Sequence, residues 1–207
     1  MVGKRQSRRE AVSEHKRELI LAAAKQVFGD EGLEGASLRA IAISAGYTPA
    51  ALYFHFESKE ALYAALLQAS LGSLGSAVDA AVAQTKTPQQ KLKAAAMTFF
   101  RFYAENPRDL DLGFYLFRGG MKPAGLGRQR DEKLNSALEA ALRPIADAAI
   151  ELGASRRNAN LLMVDCFAHA TGLLLLLHTG RIRMFGASAP DLMERYVKDQ
   201  IAHLTEE

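Results

Sequence analysis

Residues that start and stop helices punctuate this chain from end to end, and residues that would build strands are almost absent. Ser37, Ser58 and Ser155 each stand just before an apolar-periodic stretch. Thr48-Pro49, Thr87-Pro88 and Asn106-Pro107 add a proline at the first helical position. A hydroxyl or amide at such a point accepts from a backbone N–H that the helix leaves free, and proline there has no N–H to lose. No long alternating β-branched run appears. The fold class is therefore read as all-α with about nine helices.

The first helix is expected from about Ser13 to Phe28, with Leu19, Ile20, Ala23, Ala24, Val27 and Phe28 as its apolar face and Gly29 and Gly32 closing it. Short helices follow from Ser37 to Ser44 and from Thr48, and Ser58 opens a long one reaching about Gln84. Thr87-Pro88-Gln89-Gln90 has the pattern of a capping box. That helix stops before Asn106-Pro107, and the next ends at Gly119-Gly120. Between about Arg128 and Leu152, Pro144 is expected to kink or split the helix. The last two helices run from Ser155 to near Gly180 and from Ser188-Ala189-Pro190-Asp191 to about Leu204.

The chain has 207 residues, 49% of them apolar and 24% charged, enough to bury a real core. The net charge is +3, which permits an acidic partner without requiring one. The charge is uneven: Lys4, Arg5, Arg8, Arg9, Lys16 and Arg17 face only Glu10 and Glu14. Such a basic arm is usually solvated, and beside a DNA-binding module it can lie on phosphates or in a minor groove. One cysteine, Cys166, excludes an internal disulfide and suits a reducing, cytoplasmic setting. No signal-peptide pattern is read at the N-terminus. The most apolar run, Leu161 to Leu177, contains Asp165 and His169 and falls short of the roughly 20 residues that span a bilayer, so it reads as a buried helix and no membrane is expected. No cofactor or metal is expected: Asp165 and His169 stand at i, i+4, but two ligands without a third make a weak site.

The stretch from Ser37 to Leu62, SLRAIAISAGYTPAALYFHFESKEAL, carries the function. Two short helices flank the turn Ala45-Gly46-Tyr47, in which Gly46 can take the left-handed conformation. Leu38, Ile41, Ala42, Ala45 and Leu52 are spaced to pack the pair. Arg39 is the one fully charged side chain between Ser37 and Phe56. This is a helix-turn-helix pattern, whose second helix presents its N-terminal residues to the major groove. The alternative is a helical hairpin that merely packs.

With its Ile-Ala, Ala-Gly, Leu-Tyr, Phe and Ser-Lys-Glu-x-Leu positions, the stretch resembles the TetR-family helix-turn-helix. Together with the basic start and Phe28-Gly29 end of the first helix, the likeness covers about the first 65 residues. The rest matches only in helix count and hydrophobic pattern. The resemblance implies that Ser37 touches phosphate, that Thr48, Pro49, Ala50 and Ala51 face base edges, and that Tyr53, His55 and Lys59 grip the backbone. Arg39 and Tyr47 complete the expected DNA-facing set. It also implies a division into a basic arm and DNA-binding domain at 1–62 and a ligand-binding and dimerisation domain at 63–207. On this reading the chain is a homodimeric regulator of a pseudo-palindromic operator, joined through helices near 156–179 and 190–204. It would act as a repressor released by a small hydrophobic or aromatic effector; the alternative is an activator, or a regulator without an effector.

Phe99, Phe102, Tyr103, Phe114, Phe117, Met121, Met163 and Phe167 form the candidate ligand set, soft apolar walls that equally suit a plain core. His169 and His178 could orient a polar ligand group or be satisfied in the core. Cys166, in so apolar a helix, should be protonated and inert. Gly72 and Gly75 make the long helix locally weak, either for a close helix crossing or for a hinge. No G-x-S-x-G, phosphate-cradling glycine loop or Ser/His/Asp set at a readable spacing points to an enzyme.

Three positions depart from the family pattern: Ala50 where Gly is frequent, Ala51 where a hydroxyl residue is frequent, and Phe54 where a polar aromatic is common. With so few hydrogen-bonding side chains on the second helix, specificity should lean on thymine methyls and DNA shape. Ala51→Thr is therefore expected to change the motif recovered by selection from random DNA. Recovery of the same motif at the same affinity would remove this reading.

Overall fold

The computed structural model describes residues 2–113 and 125–206. Among these residues the chain forms nine α-helices and no strand: α1 Val2–Gly35, α2 Leu38–Ser44, α3 Pro49–His55, α4 Lys59–Ala83, α5 Pro88–Glu105, α6 Pro107–Gly113, α7 Arg128–Glu151, α8 Arg156–His178 and α9 Ala189–Glu206. A 3-10 turn, Arg181–Phe185, follows α8 between two glycines in the left-handed region, Gly180 and Gly186. No capping or proline pattern marks it in the sequence. The expected helix end at Gly119-Gly120 lies outside the described residues, as do Phe114, Phe117 and Met121.

The helix starts are where the caps placed them. Ser37, Thr48, Ser58, Ser155 and Ser188 each accept a backbone N–H from three residues on. Thr87 and Gln90 close a reciprocal capping box. Four expectations change. The first helix begins at Val2 rather than Ser13, so the basic arm is helical, as its run of Arg, Lys, Glu and Gln favours. It also runs through Gly29, and the backbone breaks at Gly32, with φ 72° and ψ 176°. Leu19, expected on the apolar face of α1, is 42% exposed, while Ile20, Ala24 and Phe28 are fully buried. Pro144 does not split α7, which runs unbroken from Arg128 to Glu151. Buried Ala141, Leu142, Ile145 and Ala146 hold the helix through that turn against the bond that proline removes.

The chain divides into two compact units, residues 1–69 with 111–131 and residues 70–110 with 132–207. In the first, α2 packs on α1 and on α3. Its core centres on Phe28 and Tyr63, both fully buried, with ring centroids 4.9 Å apart and edge-to-face. The Tyr63 hydroxyl donates to the Leu112 carbonyl at 2.9 Å. In the second unit, α5, α8 and α9 pack against one another around Phe99, Phe100, Leu174, Met193 and Val197.

Within the single chain α8 is not covered on every side. At 23 residues it is long and apolar enough to cross a membrane, as is α4, but only a third of its most apolar window is buried. Leu161, Val164 and Leu175 are each more than half exposed, and Ala168 and Gly172 are exposed with them. At 100° per residue these five fall on one face, opposite the side that α5 and α9 cover.

Gly72 is exposed and Gly75 half-buried, and a methyl added at either meets no atom within 4 Å among the described residues. Among the described residues they do not serve a close helix crossing. Gly72→Ala and Gly75→Ala should each raise stability by up to about 1 kcal/mol, or roughly 2–4 °C in thermal midpoint. A lowered midpoint would mean that another surface closes on these glycines.

Candidate nucleic-acid interface

The turn between α2 and α3 is set by backbone geometry. Gly46 takes φ +74°, a value open to glycine at little cost. Its N–H donates to Ile43 and that of Tyr47 to Ala42, at 3.0 and 2.8 Å. The pair of bonds is a Schellman motif, which satisfies the last carbonyls of α2 and frees Thr48 to start α3 at a new angle. Thr48 then caps α3 by accepting from the Ala51 N–H at 3.2 Å, with Pro49 at the first position. Ser37 does the same for α2, accepting from Ala40 at 3.1 Å. In both caps the hydroxyl oxygen accepts, which leaves its O–H free to donate outward.

The faces of α3 follow from its one buried anchor, Leu52, at 0% exposure. Ala50 and Phe54 lie nearly opposite it, one turn apart, with Ala51 and Tyr53 to either side. Phe54 is 86% and Tyr53 57% exposed, and Ala50 is exposed as well. This outward line is short and apolar and carries no acidic residue. Phe54 was expected only as a departure from the family pattern; its exposure puts it on the line with Ala50. Arg39 is exposed, and Tyr47 and His55 are half-buried. The helix-turn-helix thus brings together Ser37, Arg39, Tyr47, Thr48, Ala50, Ala51, Tyr53 and His55 in one small module.

Lys59 has a different setting. Its Nζ donates to the Leu33 carbonyl at 3.0 Å, so it ties the start of α4 to the end of α1. An ammonium has three donors, so this bond does not by itself preclude a phosphate contact. Phe56, buried just after α3, carries the Arg17 guanidinium over its ring at 5.0 Å. Glu57 and Arg130, neither singled out in the sequence, form an ion pair beside this turn.

Of the candidate ligand set, Phe99, Phe102, Tyr103 and Phe167 come together in edge-to-face contacts, with centroids 5.2 to 5.8 Å apart. Met163 is buried one turn before Phe167. Burial, with the charge of Asp109, pushes the Tyr103 phenol above its ordinary value, so it stays protonated. Asp109 is itself buried, which the sequence did not signal. His178 Nε2 meets the Tyr103 carbonyl at 2.9 Å. His169 stacks on Tyr196 at 4.0 Å, and its Nε2 is buried without a partner among the described residues. Burial lowers its pKa, partly offset by a hydrogen bond with the Leu192 backbone.

Residues 20–66 match the family described as bacterial regulatory proteins, tetR family. The chain is 38% identical over 101 residues to the HTH-type transcriptional activator FasR of Mycolicibacterium smegmatis, covering 49% of this chain and 46% of that protein. It is 34% identical over 86 residues to the HTH-type transcriptional regulator BetI of Rhizobium meliloti, covering 42% of each. The matched stretch therefore spans less than half the length of either relative. A crystal structure of the transcriptional regulator FadR from Bacillus subtilis, in complex with stearoyl-CoA, shares the fold at a TM-score of 0.68 and 16% identity, over 89% of this chain and 96% of that one. All three are named as transcriptional regulators.

Cys166 is 1% exposed, and burial, with the Asp165 charge beside it, pushes its thiol up to about 12. The thiolate is the reactive form, so the native protein should resist iodoacetamide at pH 8 and react only on unfolding. Rapid native labelling would show that α8 opens there.

Proposed function

We propose that the chain is a TetR-type regulator: a dimeric, DNA-binding transcriptional regulator controlled by a small apolar ligand, a reading supported by the family match over residues 20–66 and by the relatives named above. The observation that carries DNA binding is α3 itself: a capped helix, turned by Gly46, with Leu52 buried and an exposed line opposite. In this reading Thr48, Pro49, Ala50 and Ala51 meet base edges. Ser37, Arg39, Tyr47, Tyr53, His55 and Lys59 hold the phosphate backbone, which positions the helix without reading sequence. Residues 1–62 bind DNA, and 63–207 bind ligand and a second copy.

The exposed stripe on α8 supports the dimer. Large apolar side chains more than half exposed along one helix face are costly in water, and a second α8 and α9 would cover them. Two copies related by a two-fold axis would read half-sites about 34–36 Å apart, or a multiple of that. The ring cluster of Phe99, Phe102, Tyr103 and Phe167 supports an apolar effector, with Phe114, Phe117, Met121 and Met163 in the same proposed set. The stearoyl-CoA bound by the FadR neighbour is an apolar-tailed ligand of this kind. Ligand would shift the balance between two positions of α4, with Gly72 and Gly75 easing the change, and it must bind one state more tightly to do so.

A bound dimer represses where its operator overlaps a promoter. The match to a relative named as an activator favours, as a second reading, an operator placed upstream.

Titration against the DNA flanking its own gene, with random DNA as control, tests the proposal. Tight binding to a near-palindrome is expected, with affinity falling steeply as salt rises. Equal and weak binding to both DNAs, repeated in a selection from random sequence, would overturn it.

A further inference from the structure

Glu57 is an acidic residue in an awkward place. It follows α3 by two residues and precedes Lys59 by two, so it lies between side chains assigned above to the DNA backbone. At no more than about 3.6 Å per residue, its Cα is within about 7 Å of those of His55 and Lys59. That is inside the screening length of about 8 Å at physiological salt. Its side chain is 77% exposed. An uncompensated carboxylate here would repel the phosphates that its neighbours attract.

It is compensated from far along the chain. Arg130 Nη2 donates to Glu57 Oε1, 73 residues away in sequence. The guanidinium is itself positioned, because Arg130 Nη1 also donates to the Leu126 carbonyl at 3.3 Å, one turn back. Asp131, its neighbour, accepts from the Leu126 N–H at 3.0 Å and so fixes the start of α7. The Arg130 side chain is 36% exposed, about half as much as its partner. The first residues of α7 belong to the same compact unit as the helix-turn-helix, whereas the rest of α7 belongs to the other.

We propose that Arg130 is a positioning residue for DNA recognition, neutralising Glu57 so that this carboxylate can sit among the backbone-gripping side chains without repelling the operator. The inference rests on the DNA-binding reading above. Arg130 acts through Glu57, not on the phosphate. As an exposed pair the two contribute little to folding, so their effect belongs to DNA affinity.

The test is a double-mutant cycle on the full chain with its selected DNA, read by fluorescence anisotropy at about 50 and about 200 mM salt. Arg130→Gln should weaken binding by about threefold to tenfold at the lower salt and less at the higher. Its salt dependence should change by less than the one counterion that loss of a direct phosphate contact removes. Glu57→Gln alone should bind within about twofold of the native chain, or more tightly, and adding it to Arg130→Gln should restore affinity to that level. A double variant as weak as Arg130→Gln would overturn the inference in favour of a direct phosphate contact. Equal losses in both single variants would overturn it in favour of a purely structural pair. If Arg130→Gln does not fold, the exchanged pair Glu57→Arg with Arg130→Glu decides, since retained or tighter binding supports the inference and lost binding removes it. A native chain that selects no DNA would overturn the functional reading itself, whereas native binding without rescue overturns only this step.

Discussion

Tyr63 ties together the helices around the helix-turn-helix through one buried ring and one buried hydroxyl. Its ring is fully buried against Phe28 of α1, and its hydroxyl donates to the Leu112 carbonyl at the end of α6. A buried phenol needs a partner for its O–H, and a buried carbonyl needs a donor, so this bond satisfies two groups at once. Losing it would leave a polar group orphaned at a cost of about 1–3 kcal/mol. One turn earlier on the same helix, Lys59 donates to Leu33 at the end of α1. Residues at i and i+4 share a helix face, so one side of α4 holds α1 at two points and α6 at one. The direction of α3 then follows from three short links: the Schellman turn at Gly46, the Thr48 cap and the Ser58 cap.

The second unit works by different physics. Its core is apolar packing among α5, α8 and α9, with few polar obligations. The two histidines of α8 are both engaged in packing: His169 lies flat on Tyr196, and His178 bonds to the Tyr103 carbonyl. Ion pairs such as Lys91 with Glu151 lie at the surface, where they contribute little. The helix-turn-helix unit is held instead by a buried hydrogen bond and a positive-φ turn.

Local chemistry was legible and distant pairing was not. Ser37, Thr48, Thr87 and Ser155 could be read as caps because a cap joins residues three apart. Gly46 could be read because its turn is complete within six residues. The ion pair of Glu57 with Arg130 joins residues 73 apart, and the bond from Tyr63 to Leu112 spans 49, so no pattern in either neighbourhood announces them. The exposed stripe of α8 was hidden for a related reason. A helix apolar on every side shows no periodicity, so only its neighbours reveal which face they leave uncovered.

Short-range chemistry sets the all-helical class, the helix starts and the helix-turn-helix, because capping, proline placement and glycine turns act over a few bonds. Tertiary structure alone decided that the basic N-terminal segment joins α1, that α7 runs straight through Pro144 and that Leu19 faces outward. It also decided that Phe54 stands clear of the core and that Glu57 has a partner. These outcomes depend on which surfaces meet, and the free energy of burial or pairing is set by the neighbour rather than by the residue.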